Sequence, residues 1–538
     1  MIGKLLRPGL VCVGVLLAAC TVERPLPAEP TARLFARGLD EITDLYIEPI
    51  SSRTLVLSGA ARLSRLDPGF SMVETPAGSD KTALVLSYRG ADIGTYPTPP
   101  SDDSREWGVI VGRLIADAKK ASPRLAAMSE DKIDKAIFDG MTGALDRFSR
   151  YSPPDMARDQ RAARDGFGGI GITLEPVNDQ LQVAAVTPHG PAERAGIRPG
   201  DRLLAIGGRA TAGRAESDVI HQLRGPIFTT VDVTVARGGT GEQRNFRMQR
   251  ELIVVPTVTM SRDGTIAIIH VASFNESTTQ RLTASINEAE QAAGGRLTGI
   301  VLDLRGNPGG LLDQAVALAD VFLPKGPIVS TVGRNPASRQ FFSATGEGIE
   351  PRTPVVVLIN GGSASASEIV AAALQDAGRA VVVGSSSYGK GTVQTVIHLP
   401  NDGELTLTWA RLISPSGYAL SGHGVVPTLC TSALAEDDAR SFQLALQRVA
   451  QVRASRLPRA SLNEKAWADL RNACPARQGD RDIDVKLAER VLSDPALYSQ
   501  TVRSLARAPE ITAPQQAMAP AAALTATRGG LSSGPRVH

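Results

Sequence analysis

The sequence predicts a multidomain α/β protein, in which a mixed sheet with helices is joined to a β-rich module and flanked by helical regions at both ends. Three observations predict it. A chain of 538 residues exceeds the size at which one hydrophobic core keeps growing. Apolar, β-branched runs at 266–271, 299–304, 355–359 and 380–383 alternate with helical patterns at 278–293, 311–322 and 365–377, and such alternation is the signature of a sheet covered by helices. Between 166 and 249 the pattern changes to short strands, Gly-rich turns and one helix.

Taken in order, the chain starts with a basic stretch, Lys4 and Arg7, then apolar residues from Gly9 to Ala19. Eleven apolar residues are too few to cross a bilayer, which takes roughly 20 in a helix, so residues 1–20 read as a secretory signal. Leu17-Ala18-Ala19-Cys20 resembles the lipobox of bacterial lipoproteins. That resemblance implies cleavage before Cys20, acylation of its thiol, and a periplasmic protein anchored to the membrane by lipid. Residues 21–31 are Pro-rich and polar and read as a tether. Residues 32–161 are mostly helical in pattern, with Leu34, Leu39, Ile42, Leu45 and Tyr46 at helical spacing. Residues 251–430 form the α/β core, 435–505 read as further helices, and 506–538, rich in Ala, Pro, Thr and Gly, as a disordered tail. Once Cys12 and Cys20 are set aside, Cys430 and Cys474 remain, and spacing alone leaves one disulfide or two thiols open. A formal net charge of +3, with no basic run interleaved with aromatics, speaks against nucleic acid as a partner.

Chemistry concentrates in two segments of the core. Ser363-Ala364-Ser365-Ala366-Ser367-Glu368 follows an apolar strand and opens a helix, where a hydroxyl is exposed and developing negative charge is favoured. The same residues fit a capping box, Ser365 with Glu368. The second segment, Gly384 to Thr392, satisfies most of a phosphate-binding loop through Gly384, Gly389 and Lys390, but Gly391 stands where the magnesium-binding Ser/Thr belongs. His221, His398 and His423 show no ligand spacing, so neither a metal nor another cofactor is called for.

In the β-rich module, the Gly168-Gly169-Ile170-Gly171-Ile172 loop and the 192–206 stretch AERAGIRPGDRLLAI resemble a PDZ domain. That resemblance implies binding of peptide C-termini by strand addition, with the carboxylate held by the N–H groups of Ile170, Gly171 and Ile172. Val219 and Leu223, four apart on one helix, would line the side-chain pocket. With the LDLRGNPGG run at 302–310 and YGKGTVQ at 388–394, the order of motifs over roughly residues 34–430 resembles the C-terminal processing (tail-specific) protease family, whose cores are ClpP/crotonase-like.

Position by position, the resemblance makes Ser365 the nucleophile and Lys390 the base. It places the N–H groups of Gly310 and Ala366 in the oxyanion hole and makes Gln394 an orienting glutamine. Gln394 meets Lys390 only if 390–394 is helical; an extended strand would hold the two about 13 Å apart. Asp376 and Arg305 read as structural. Expected partners are exported proteins with accessible apolar C-termini. The departures from a minimal member, 73–122 and 435–538, could carry self-association, an adaptor site or a lid. An inactive peptide-binding scaffold is the alternative from a different class, and a nucleotide hydrolase is a weaker one.

Overall fold

A computed structural model describes residues 26–77, 82–350, 352–434, 459–505 and 536–537. The signal, Cys20, residues 21–25 of the tether, residues 435–458 of the C-terminal region, and residues 506–535 and 538 of the tail lie outside the described residues. Among those described, no helix is long and apolar enough to cross a membrane.

The N-terminal region is built on the helices Pro30–Leu45 and Ser104–Ala121, which pack along one another through Leu34, Phe35, Leu39, Trp107, Val111 and Leu114. Its helical reading needs one correction. Phe70–Pro76, Thr82–Tyr88 and Ala91–Pro97 form a three-stranded antiparallel sheet. In the middle strand Leu84 and Leu86 are buried, a spacing of two that suits a half-buried strand. Arg89 and Gly90, both at positive φ, make the turn that follows.

The core sheet runs Val258–Asp263, Ile266–Val271, Gly299–Asp303, Val355–Ile359, Ala380–Gly384, Leu429–Cys430; its first pair is antiparallel and the rest are parallel. Strands buried on both faces need cover on both faces. Ile300, Leu302, Val355 and Val357 share a cluster with the helices Thr278–Ala292, Leu312–Phe322 and Ala366–Asp376. Val301, Val356, Leu358, Val381 and Val383 share another with Ile483, Leu487 and Val491 of the helix Asp482–Leu492. The C-terminal helices therefore complete the core rather than follow it.

A second sheet, Gln340–Ser343, Pro327–Val332, Glu404–Ile413, Thr392–His398, lies beside the first. Arg150–Ser152 of the N-terminal region pairs with Glu404–Ile413. At the far edge, Arg536–Val537 pairs with Thr392–His398, so the end of the tail departs from the disorder expected of it.

The β-rich module has its own core around Ile170, Val183, Leu203, Ile206, Val219, Val233 and Val235. Its antiparallel sheet ends at the strand Ile172–Val177, and the chain enters and leaves through the paired strands Phe167–Gly169 and Glu251–Ile253. Cys430 and Cys474 form a disulfide, closing the alternative the sequence left open.

Candidate active site

Ser365 is the N-cap of the helix Ala366–Asp376, at φ 57° and ψ −115°. For a residue with a Cβ this is a strained conformation costing on the order of 1–3 kcal/mol, and it persists only where the surroundings over-determine it. They do so here through Glu368, whose side chain is fully buried. Its Oε2 accepts the N–H groups of Ser365 at 2.8 Å and Lys390 at 2.9 Å. Its Oε1 accepts the Gly389 N–H at 2.7 Å and the Ser387 hydroxyl. Because Ser387 Oγ itself accepts the Val425 N–H, its proton is committed to Glu368. One carboxylate oxygen thus joins the backbones of Ser365 and Lys390, which places the two nitrogens within about 6 Å of each other. Burial pushes the Glu368 carboxyl above its ordinary range, and these four donors pull against it. Sequence reasoning saw Glu368 as a helix cap; the cap is present, and it also binds the second loop.

Lys390 is half-buried. Burial first, and then the neighbouring Arg150 charge, lower its pKa to about 8, against smaller opposing effects of Glu368 and Asp146. A lysine so placed is neutral in a substantial fraction at mildly alkaline pH.

The 302–310 loop supplies the other side. Asn307 accepts the Gly309 N–H on its side chain at 2.8 Å, while its backbone oxygen takes the Ala364 N–H at 2.9 Å and the Ser367 hydroxyl at 2.9 Å. The fit leaves no room for a Cβ. One on Gly309 would lie 2.8 Å from Ser365 Cβ, and one on Gly310, at φ 146°, would lie 2.1 Å from the Phe274 oxygen. The Gly309 oxygen accepts the Phe274 N–H at 3.0 Å and the Leu311 N–H donates to the Phe274 oxygen at 3.0 Å, so the peptide planes on both sides of Gly310 are fixed. Ala366 is the first helical residue, and an N–H there has no carbonyl within its own helix. Beside Ser365, Ala366 and Gly310 a small recess is lined by Leu312, Ile369, Val393 and Leu412.

Of the residues singled out in the sequence, Ser365, Ala366, Gly310 and Lys390 are brought together. Gln394 stands on the extended strand Thr392–His398, and its amide donates to Thr392 Oγ1 at 2.9 Å and Thr408 Oγ1 at 3.2 Å. The helical alternative for 390–394 is thereby excluded. Arg305 clasps Asp303, at 2.9 and 2.6 Å, and Asp484 of a C-terminal helix, at 3.3 Å. Asp376 accepts from the Ser416 N–H and hydroxyl. The nucleotide reading fails on geometry: the segment after Gly384 runs into a strand, not into the helix N-terminus that a phosphate loop requires. In the module, Val219 and Leu223 are buried in its core alongside Ile170. Gly171 sits at φ 76° at the head of the edge strand Ile172–Val177.

Sequence reasoning missed the bracing of both loops from the C-terminal region. The Arg477 oxygen accepts the Gly361 N–H at 2.6 Å, and Asn360 donates to the Gly479 oxygen at 3.1 Å. Arg471 donates to the Ser387 and His423 oxygens, and Ser386 donates to the Cys474 oxygen. No local motif announces such contacts, because they join residues between 48 and 119 positions apart.

Two family models and relatives by sequence agree with this architecture. The family model for Peptidase family S41 matches residues 265–430, and that for the PDZ domain matches residues 182–237. A carboxy-terminal-processing protease of Bartonella bacilliformis is 39% identical over 302 residues, which is 56% of this chain and 70% of that one. A probable CtpA-like serine protease of Staphylococcus aureus is 35% identical over 302 residues, again 56% of this chain but 60% of that one. Among solved structures, a photosystem II D1 C-terminal processing protease is 28% identical, covering 57% of this chain and 84% of that one at a TM-score of 0.33. The chain belongs to peptidase family S41, among the carboxy-terminal-processing serine proteases that carry a PDZ domain.

Proposed function

We propose that this chain is an exported serine endopeptidase, anchored by lipid at Cys20 in the periplasm, that takes substrates by their C-terminal tails and cuts with Ser365 and Lys390. The observation that carries the catalytic part is the shared Glu368 oxygen, which holds a strained serine and a lysine of lowered pKa side by side.

In this reading neutral Lys390 takes the Ser365 proton as Oγ attacks the scissile carbonyl. The N–H groups of Gly310 and Ala366 meet the negative charge that forms on the carbonyl oxygen. Lys390 then gives its proton to the leaving amine, and water releases the acyl group from Ser365 by the reverse path. Gln394, held on Thr392 and Thr408, fixes the strand that follows Lys390 rather than touching the reacting atoms.

Tail recognition rests on the edge strand Ile172–Val177, whose outer side suits an added strand. The carboxylate would meet the turn at Ile170, Gly171 and Ile172, with Val219 and Leu223 below. Cleavage of an unfolded reporter ending in an apolar tail, compared with the same reporter carrying an amidated terminus, tests this. Loss of the terminal charge should reduce kcat/KM at least tenfold, whereas equal cleavage would remove the tail-recognition step. Tail binding without any cleavage would favour the scaffold reading.

A further inference from the structure

We propose that Phe148, contributed by the N-terminal region, is a positioning residue for the active site: its ring walls off Lys390 from water and holds the lysine ready to act as a base. This rests on Lys390 being that base, as proposed above.

The geometry starts in a turn that no motif marks. Asp146 Oδ1 accepts the N–H groups of Phe148 at 3.0 Å and Ser149 at 2.8 Å, fixing the backbone beneath the ring. Ser149 Oγ then accepts the Thr408 N–H at 3.1 Å, and Arg150–Ser152 joins the strand Glu404–Ile413 in register, with Arg150 opposite Thr406. Three successive residues are thus tied down, two of them to the sheet that carries the strand after Lys390. The Lys390 Nζ lies 5.2 Å from the centroid of the Phe148 ring. The Arg147 guanidinium lies 4.7 Å from the same centroid and 5.5 Å from that of Tyr388, two residues before Lys390. The ring is held from the backbone and by a neighbouring cation, and it lies against the lysine.

A ring in this place has two opposed effects. Its face attracts an ammonium and favours the charged lysine. Its bulk keeps water from the amine and favours the neutral one. Burial is the largest influence on Lys390, and the ring is one of the groups that bury it; we take the second effect to prevail, which the variants below decide. The charged groups facing Lys390 are Arg150 on the adjoining strand, Asp146 in the turn and Glu368 on the serine helix. None of them is altered by substituting Phe148. The consequence for the fold is that residues 146–150, outside the protease core, complete the catalytic site.

The test is the pH profile of kcat/KM on a peptide reporter, for the full chain and its Phe148→Ala, Phe148→Gln and Phe148→Leu variants. Wild type should rise to a plateau with a midpoint near 8. Phe148→Ala should move the midpoint up by about one unit, lowering the rate at pH 7.5 several-fold while the alkaline plateau stays within about threefold. Phe148→Leu, which excludes water without a ring face, should keep the midpoint at or just below that of wild type. Phe148→Gln, similar in length but polar, should move it up and serves if the alanine variant melts early. A uniform loss at every pH with an unmoved midpoint would overturn the proposal, as would Phe148→Leu shifting as far as alanine. Lys390→Ala run alongside separates the two levels. Activity surviving in it removes the base assignment itself, whereas its loss beside an unmoved Phe148→Ala midpoint removes this inference alone.

Discussion

Glu368→Gln keeps the shape of the side chain and changes which of its terminal atoms can accept a hydrogen bond. The carboxylate uses both oxygens, each for two donors. A glutamine must turn its NH2 toward one of these pairs. Facing Ser365 and Lys390, it would strand two buried N–H groups. Facing Ser387 and Gly389 is cheaper, since the hydroxyl can rotate, yet the Gly389 N–H is still left without an acceptor. An unmet buried donor costs about 1–3 kcal/mol, and weakening the surviving bonds from charge-assisted to neutral adds about 1 kcal/mol. The sum, about 2–4 kcal/mol, falls on the contact that sets Ser365 against Lys390. At 1.36 kcal/mol per decade this corresponds to a kcat loss of about 30-fold to 1,000-fold. Because Glu368 is buried away from the recess, KM should stay within about threefold. Steady-state kinetics on a peptide reporter and a thermal melt measure both quantities, and the melt should fall by at least about 4 °C. Wild-type kcat in a variant that has lost this stability would show that the carboxylate braces the fold but not the catalytic pair.

Other expectations follow from the same contacts. Activity should climb with pH: Lys390 must be neutral to act, it is neutral above its pKa of about 8, and a pH–rate series should show about half-maximal rate there and a plateau above about 9. Gly310→Ala would drive a Cβ to 2.1 Å from the Phe274 oxygen, and kinetics should show kcat down by about 100-fold or more, the scale of losing an oxyanion donor. Arg305→Met takes the guanidinium from Asp303 and Asp484, both buried, leaving them only the residue-305 N–H, His270 and the Thr431 hydroxyl; denaturant unfolding should show a loss of about 3 kcal/mol at neutral pH. Although burial opposes it, the Asp303 carboxylate is held at about 2, chiefly by Arg305; this contribution is present above about pH 4 and disappears as pH falls toward 2, so the two proteins should converge in acid. Cys474→Ser opens a disulfide spanning 44 positions, worth up to about 4 kcal/mol on chain entropy. Its melting temperature should fall, a reductant should do the same to wild type, and the variant should not respond to reductant.

What the sequence made legible was what short motifs encode. Ser365, Lys390, Gly310 and Ala366 stand in runs whose spacing reflects strand-to-loop geometry, and the structure brings them together. The alternation of buried runs with helical patterns likewise foretold a core sheet covered by helices. Glu368 was half legible: its spacing from Ser365 announced a cap, but its bonds to Ser387, Gly389 and Lys390 cross some twenty positions, and no local pattern carries them. Phe148, Asn307, Arg471 and Arg477 were hidden for the same reason, since their partners come from other regions. The strands at 70–97 were missed because apolar residues at 32–66 and 104–142 gave the whole region a helical cast. Within it, the period of two in Thr82–Tyr88 is short.

The central claim, that Ser365 is the nucleophile and Lys390 its base, is met most directly by mapping a covalent adduct. The full chain is treated with a serine-directed fluorophosphonate at pH 7 and pH 9, digested, and read by mass spectrometry. The adduct is expected on Ser365, formed faster at pH 9, absent in Ser365→Ala and strongly slowed in Lys390→Ala. An adduct on another serine, or equal labelling in Lys390→Ala at both pH values, would contradict the Ser–Lys mechanism.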